Sequence, residues 1–270
     1  MRNVRGCFVY ILSTVLAISL SAFATSEKPD VESIIRQSTE ANDRDWSAVT
    51  KFDNYERDRN KDGDKTYDVT MLYGSPYERL IAINGHSLSP EKQKEEQEKY
   101  EKAVEKRNHE SPDERSQRIA KFEADLKRDH TMLEQMTKAF DFRLIGTRHL
   151  NGYKVYVLRA TPRAGYKPPN RDSEVLPGME GTLWIDQKTF QWVKVEAHVI
   201  RPVRIEGFLA VVEPGTNFEV EKRPVAGDIW QTSHFSMRSN ARVMLVFHHR
   251  GQEDDSYYNY RPTANDSSGK

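Results

Sequence analysis

The stretch Gly181-Thr182-Leu183-Trp184-Ile185-Asp186, Gln187-Lys188-Thr189, Phe190-Gln191-Trp192-Val193-Lys194-Val195-Glu196 decides the fold class. Thr182 to Asp186 and Phe190 to Arg201 read as strands, with the polar residues between them as a short turn. From Gln191 to Val199, Val193, Val195, Ala197 and Val199 form one apolar face, and Lys194, Glu196 and His198 form the other. A period of two is the mark of a strand half covered by a core.

The same period recurs on both sides of this hairpin. Upstream, Phe142 to His149 and Tyr153 to Ala160 flank Asn151-Gly152, a dipeptide suited to the left-handed backbone of a two-residue hairpin turn. Pro162 to Pro177 is a proline-rich loop in which Tyr166-Lys167-Pro168-Pro169 must be extended. Downstream, strands are expected around Phe208, at Asn217 to Arg223, Asp228 to Met237, Ala241 to His249 and Ser256 to Tyr260. In the fourth of these Val243, Leu245 and Phe247 share a face, while Met244 and Val246 make the other face apolar too. Such a strand is covered on both sides or lines a cavity on one.

Nearer the N-terminus, Asp30 caps a short helix through Val31, Ile34 and Ile35, a lid or brace. Trp46 to Arg57 reads as a strand, Asp62-Gly63 as a tight turn, and Tyr67 to Tyr73 as the partner strand. Tyr67, Val69, Met71 and Tyr73 alternate there with polar Asp68 and Thr70; Tyr77 to Ile83 continues the meander to Asn84-Gly85. The total is about ten or eleven short antiparallel strands, the spacing of a large meandering sheet or barrel.

One segment breaks the pattern. Residues 89–140 are dense in Lys, Glu and Arg and lack glycine. Ser89-Pro90 and Ser111-Pro112-Asp113-Glu114 each place a capping serine before proline, and the second adds a capping-box glutamate. Two helices with a break near His109 follow. Ile119, Phe122, Leu126, Leu133, Met136 and Phe140 form an apolar stripe on the second. The stripe either docks on the sheet or serves a coiled-coil partner.

The ends and the charge bound the class. Arg2 and Arg5, the apolar run Cys7 to Leu20 and the small-x-small site Ala22-Phe23-Ala24 form a secretory signal, with cleavage expected after Ala24. Export to the periplasm follows. The run is shorter than the roughly 20 residues a span needs, so no stable membrane insertion of the mature chain is expected. Cys7 is the only cysteine, and its loss with the signal excludes disulfides, thiol catalysis and Cys-ligated zinc. Removing Arg2 and Arg5 leaves 39 basic against 41 acidic residues. No global field attracts nucleic acid. Residues 25–262 are read as one domain carrying the charged insertion 88–140, and 263–270 as a disordered tail.

Motifs for chemistry are weak. Asp58-x-Asn60-x-Asp62-Gly63-Asp64 matches the first part of a calcium loop, but Val69 stands where the closing glutamate belongs. A charged hairpin turn is the reading adopted. His248 and His249 are adjacent and point to opposite faces of a strand; His198 and His234 lie on separate strands that can meet, but nothing in the spacing brings them together, and structural histidines are the reading adopted. No nucleophile elbow, zinc-protease helix, phosphate loop or dinucleotide fingerprint occurs. A non-enzymatic protein without metal or cofactor is expected.

The hairpin at 181–196, with Phe142-Arg143-Leu144-Ile145-Gly146 and Asn151-Gly152-Tyr153-Lys154-Val155-Tyr156-Val157-Leu158, resembles the LolA/LolB-like lipoprotein-sorting superfamily. Gly181, Trp184, Asp186 and Trp192 carry the motif. The chain as a whole is most similar to the bacterial outer-membrane lipoprotein-sorting group, including a helical insertion after Leu88-Ser89-Pro90. The resemblance implies a mainly β, α+β fold: an incomplete, curved antiparallel barrel with helices covering its concave side. It implies a hollow for acyl chains of lipids or lipoproteins, while some relatives act as envelope-stress sensors. On that basis Tyr67, Val69, Met71, Tyr73, Val193, Val195, Val199, Val243, Leu245 and Phe247 are expected to line the hollow. The rival expectation is an envelope regulator or scaffold that grips a protein partner through 89–140.

Overall fold

In this computed structural model, residues 30–206, 210–243 and 247–263 are described. The expected signal segment with Cys7, Leu245 and all of the expected tail except Thr263 lie outside the described residues, as does the strand expected around Phe208 at its centre.

The alternation and turn residues build one antiparallel sheet. Its first strands are β1 (Phe52–Asn60), β2 (Gly63–Leu72), β3 (Ser75–Ile83) and β4 (His86–Ser87). After the helical insertion come β5 (Phe140–Leu150), β6 (Tyr153–Pro162), β7 (Met179–Asp186) and β8 (Trp192–Val199). Two three-residue strands, β9 (Val203–Ile205) and β10 (Ala210–Val212), precede β11 (Asn217–Ala226), β12 (Ile229–Val243) and β13 (Phe247–Pro262). The order is β4-β3-β2-β1-β13-β12-β11-β8-β7-β6-β5, with β10 on β12 and β9 on β10. The ends β4 and β5 do not pair, so the curved sheet is an open, incomplete barrel of α+β class.

Three α-helices are described. Helix α1 (Val31–Ser47) is capped by Asp30, whose carboxylate accepts from the Glu32 and Ser33 N–H groups. Helices α2 (Pro90–Asn108) and α3 (Pro112–Ala139) start at Ser89 and Ser111, the latter with a complete capping box, and break at His109 as the sequence requires. The core lies between α1 and α3 on one side and the sheet on the other. Ile34, Met136 and Ala139 pack on Leu158, Leu183, Ile185, Trp192, Val195 and Ala197. A smaller cluster of Val155, Val157, Val193 and Trp230 forms separately, with Trp184 packed against it.

Several expected boundaries are corrected. Trp46 is helical, because α1 runs on to Ser47 and a 3-10 turn at Val49–Lys51 precedes β1. The buried Ala41, Asn42 and Asp45 hold that extra helix against the sheet. The β1–β2 loop is Lys61-Asp62, with Asn60 opposite Gly63, one residue earlier than expected. Tyr73 belongs to the turn after β2 and has φ 49°. Residues 241–249 are not one strand: β12 ends at Val243, β13 starts at Phe247, and these two are paired. A run apolar on both faces carries no period to mark where one strand stops. The proline-rich loop closes in a 3-10 segment, Asp172–Gly178, under β9.

Candidate functional site

A hollow of about 520 Å³ lies between the helices and the sheet. Its helical wall is Asn42, Asp45 and Trp46 from α1 with Leu133 and Met136 from α3. The sheet supplies Phe52, Asn54 and Glu56 from β1, Trp192 and Val195 from β8, and Phe218, Val220 and Lys222 from β11. Gln231, Thr232 and Phe235 of β12, Tyr257 and Tyr260 of β13 and Val49 of the 3-10 turn complete it. The register explains the selection: Val195 faces Val220, Ala197 faces Phe218, and Glu56 faces Tyr257, so these alternating residues share a face. The size falls within the roughly 300–1,000 Å³ of ordinary ligand sites, and the lining is apolar with a few polar groups, as in such sites.

One end of the roof is fixed by a buried polar network. Asp45, 3 % exposed, accepts hydrogen bonds from the Trp230 N–H (2.8 Å) and from Gln191 Nε2 (3.0 Å). It also pairs with Lys222, whose Nζ donates to Asn42 Oδ1 at 3.0 Å. Burial pushes the Lys222 ammonium below its ordinary range, and Asp45 pulls it back part of the way. The Gln231 amide donates to the Asp45 carbonyl (3.0 Å), and Trp192 Nε1 donates to Ser38 Oγ (2.7 Å). Helix α1 is therefore tied to β8, β11 and β12 through side chains that no local pattern joins.

The other edge of the roof is a stack. The His130 ring of α3 lies 4.3 Å from the Trp46 ring, and its Nε2 is 2.9 Å from Asp43 Oδ1. Trp46 is 38 % exposed, so it forms both lining and rim.

The sheet end of the hollow is acidic. Glu56 is raised to about 7, first by burial and then by Asp58, Glu78 and Asp255; a hydrogen bond from Tyr257 opposes this. Asp255 is raised to about 6 by burial and by Asp58, Glu253 and Asp254, with His234 opposing. Burial, with these carboxylates, also pushes the Tyr257 hydroxyl upward.

The expected lining residues divide. Val195 lines the hollow. Tyr67 and Val69 face Glu56 and Asn54 across β1 and β2, placing them on the same face but beyond the lining. Met71 is buried on that strand. Tyr73 instead meets the insertion, its hydroxyl 3.3 Å from Asn108 Oδ1 and its ring under Arg115. Val193 is turned away: a bulge between Trp184/Ile185 and Lys194/Trp192 shifts its register, and it packs with Val155, Val157 and Trp230. Val199 is buried in the main core beside Met179 and Leu176 rather than in the hollow. Val243 and Phe247 are placed by backbone pairing only.

The hairpin motif has structural causes. A Cβ on Gly181 would stand 2.5 Å from the Glu196 carbonyl oxygen, so only glycine fits between β7 and β8. Asp186 closes the turn by accepting from the Lys188 N–H, the Thr189 N–H and the Thr189 hydroxyl. Trp184 packs against the smaller cluster with Lys194 over its ring; Trp192 lines the hollow.

The histidine pair does not form. Strand β11 separates β8 from β12, and His198 is opposite Asn217 while His234 is opposite Glu221. Each faces a carboxylate instead, Glu180 and Asp254. Asp58 to Asp64 is the β1–β2 hairpin, with Asp64 paired to Arg57. Among the described residues no group of three His, Cys, Asp or Glu is arranged to hold a metal, and no helix is long and apolar enough to cross a membrane.

Among the residues the sequence did not mark are Trp46, Asn42, Asp45, Lys222 and His130 of the roof and Glu56, Val220 and Tyr257 of the sheet. Asp45 and Lys222 are 177 positions apart, so the sequence offers only their isolated charges. The one available signal was Trp46, an aromatic next to an acid at the end of an amphipathic helix.

No protein-family model matches the chain, and no curated protein matches it. Solved structures do. A domain assigned to the outer membrane lipoprotein-sorting proteins, from Vibrio parahaemolyticus, is 12 % identical, with 87 % of this chain and 94 % of that chain covered and a TM-score of 0.35. A DUF1329 family protein from Desulfovibrio piger is 10 % identical, with 87 % and 94 % covered and a TM-score of 0.32. The LolA superfamily protein NE2245 from Nitrosomonas europaea is 11 % identical, with 86 % and 92 % covered and a TM-score of 0.31. At these scores the likeness carries no functional weight, which rests on the hollow.

Proposed function

We propose that the chain is a periplasmic binding or carrier protein for acyl chains of lipids or lipoproteins, of the outer-membrane lipoprotein-sorting type. The observation that carries this reading is the hollow itself. Phe52, Leu133, Met136, Trp192, Val195, Phe218, Val220 and Phe235 surround about 520 Å³ roofed by helices. An acyl chain moved there from water gains about 0.8 kcal/mol per methylene buried. Carriage needs no catalytic group; it needs a dry wall and a roof held by side chains, which Asp45, Trp192 and His130 provide.

Val220→Glu tests it. A carboxylate on this wall is desolvated beside the chain or draws water in, weakening binding by roughly 100-fold, about 2.7 kcal/mol. Native mass spectrometry and lipid extraction of protein purified from periplasm, with binding of the neutral dye N-phenyl-1-naphthylamine, give the readout. A wild type that carries no lipid and binds no dye, or a folded Val220→Glu protein that binds as wild type, refutes the reading. The rival, a scaffold with no cargo, is favoured by one observation. Helix α2 has no buried residue and is held to β3 through Arg107, the Tyr77–Tyr100 contact and Arg79, which donates to Gln97 and lies over the Tyr100 ring. Pull-downs with and without α2 (Pro90–Asn108), a deletion that leaves the α3 wall of the hollow in place, address it.

A further inference from the structure

The hollow has an asymmetric electrostatic lining. Two carboxylates contribute, Asp45 and Glu56. Asp45 is matched by Lys222, so that end is neutral as a pair. Glu56 has no basic partner among the groups that act on it. The groups facing it from each neighbouring strand are Asp58 on β1, Tyr67 on β2, Glu78 on β3, and Asp255 and Tyr257 on β13. Lys65 acts on Asp58, and His234 on Asp255; neither neutralises Glu56. Tyr257 and Tyr260 place aromatic rings in the same lining.

We propose that Glu56 makes the hollow select amphiphiles with a cationic headgroup, an aliphatic amine or quaternary ammonium, over those with neutral or anionic heads. This rests on the reading of the hollow as an acyl-chain site. A carboxylate beside tyrosine rings is the chemistry that holds an ammonium, through charge and the ring quadrupole together. An anionic head would add to the repulsion that already exists among Glu56, Asp58, Glu78 and Asp255; a cation relieves it. The raised Glu56 carboxyl supplies a proton linkage. Above pH 7 Glu56 is anionic and attracts the cation; below it Glu56 is protonated and the attraction falls.

Isothermal titration with dodecyltrimethylammonium, dodecanol and dodecanoate, each below its aggregation limit, tests the proposal. At pH 8 the quaternary ammonium is expected to bind about tenfold more tightly than the alcohol, the factor that corresponds to lowering Glu56 by one pKa unit. The ratio falls towards one at pH 6, although the ligand's charge does not change. In Glu56→Gln the ammonium-over-alcohol preference and its pH dependence disappear, the two ligands binding with equal affinity at both pH values. Equal binding of ammonium and alcohol by the wild type, or a preference unchanged in Glu56→Gln, overturns the selectivity and leaves the hollow as a chain site. If none of the three ligands binds, the acyl-chain reading fails and this proposal fails with it.

Discussion

Replacing Asp45 by alanine removes the one carboxylate that answers a buried ammonium and two buried N–H donors. Lys222 is left with only the Asn42 carbonyl oxygen, at 3.0 Å, in a site where its charge is already disfavoured. The Trp230 N–H and the Gln191 amide lose their shared acceptor as well. Breaking one side of a buried ion pair typically costs about 3–5 kcal/mol, a large part of the roughly 5–15 kcal/mol that holds a domain folded. Urea unfolding followed by tryptophan fluorescence should show the unfolding free energy fall by that amount, through a lower midpoint with little change in slope. The double substitution Asp45→Leu with Lys222→Met should recover most of the loss, because no uncompensated charge remains. A single variant within about 1 kcal/mol of wild type, or a double variant no better than the single, would refute the assignment of Asp45 as the tie between α1 and the sheet.

Three other outcomes are expected. Glu56 and Asp255 are raised in the folded state, to about 7 and about 6, so the fold binds more protons than the unfolded chain between their ordinary and raised values. Their contribution is full below the ordinary carboxylate range and is lost as pH rises through 6 to 7. After discounting for solvent screening it is on the order of 1 kcal/mol, and Glu56→Gln should flatten the slope of melting temperature from pH 5 to 8; an unchanged slope counts against it. Gly181→Ala should destabilise by about 1–3 kcal/mol, measured by the same urea titration, because its Cβ meets the backbone oxygen of Glu196. Mass spectra of the exported protein should begin at Thr25, and an intact Met1 would overturn the signal reading.

The strand periods made the open antiparallel sheet and both insertion helices legible in advance, for reasons that are local. Asn151-Gly152, Ser89-Pro90 and the Ser111–Glu114 box act within a few residues, and Leu150 pairs with Tyr153 as the turn demands. Boundaries failed where two local signals competed. Trp46 has strong β propensity, yet it is helical because Asp45, next to it, bonds to β11 and β12. Val193 follows the alternation on paper, but one bulged residue moves it to the other cluster. A single extra residue reverses which face a side chain occupies, and nothing in the alternation of residues 191 to 199 announces it.

The site was less legible than the fold because its walls come from segments far apart in the chain. Of the ten residues expected to line the hollow, Val195 lies in the lining of this cavity, whereas Val193, two positions earlier, is turned to the other cluster by the bulge. Phe218, Val220 and Phe235 also line it, and their strands carry no sequence mark that separates a lining position from a packed one. What distinguishes them is the gap between the helices and the sheet, which depends on where α1 and α3 rest. The resting place of α1 is set by Asp45 with Lys222 and by Trp192 with Ser38. Both pairs join residues that no sequence window contains. The polar ties that hold the roof apart from the wall thus decide whether apolar strand faces become a solid core or a hollow. An acid or an indole in such a tie is therefore as much part of the binding site as the valines it leaves uncovered.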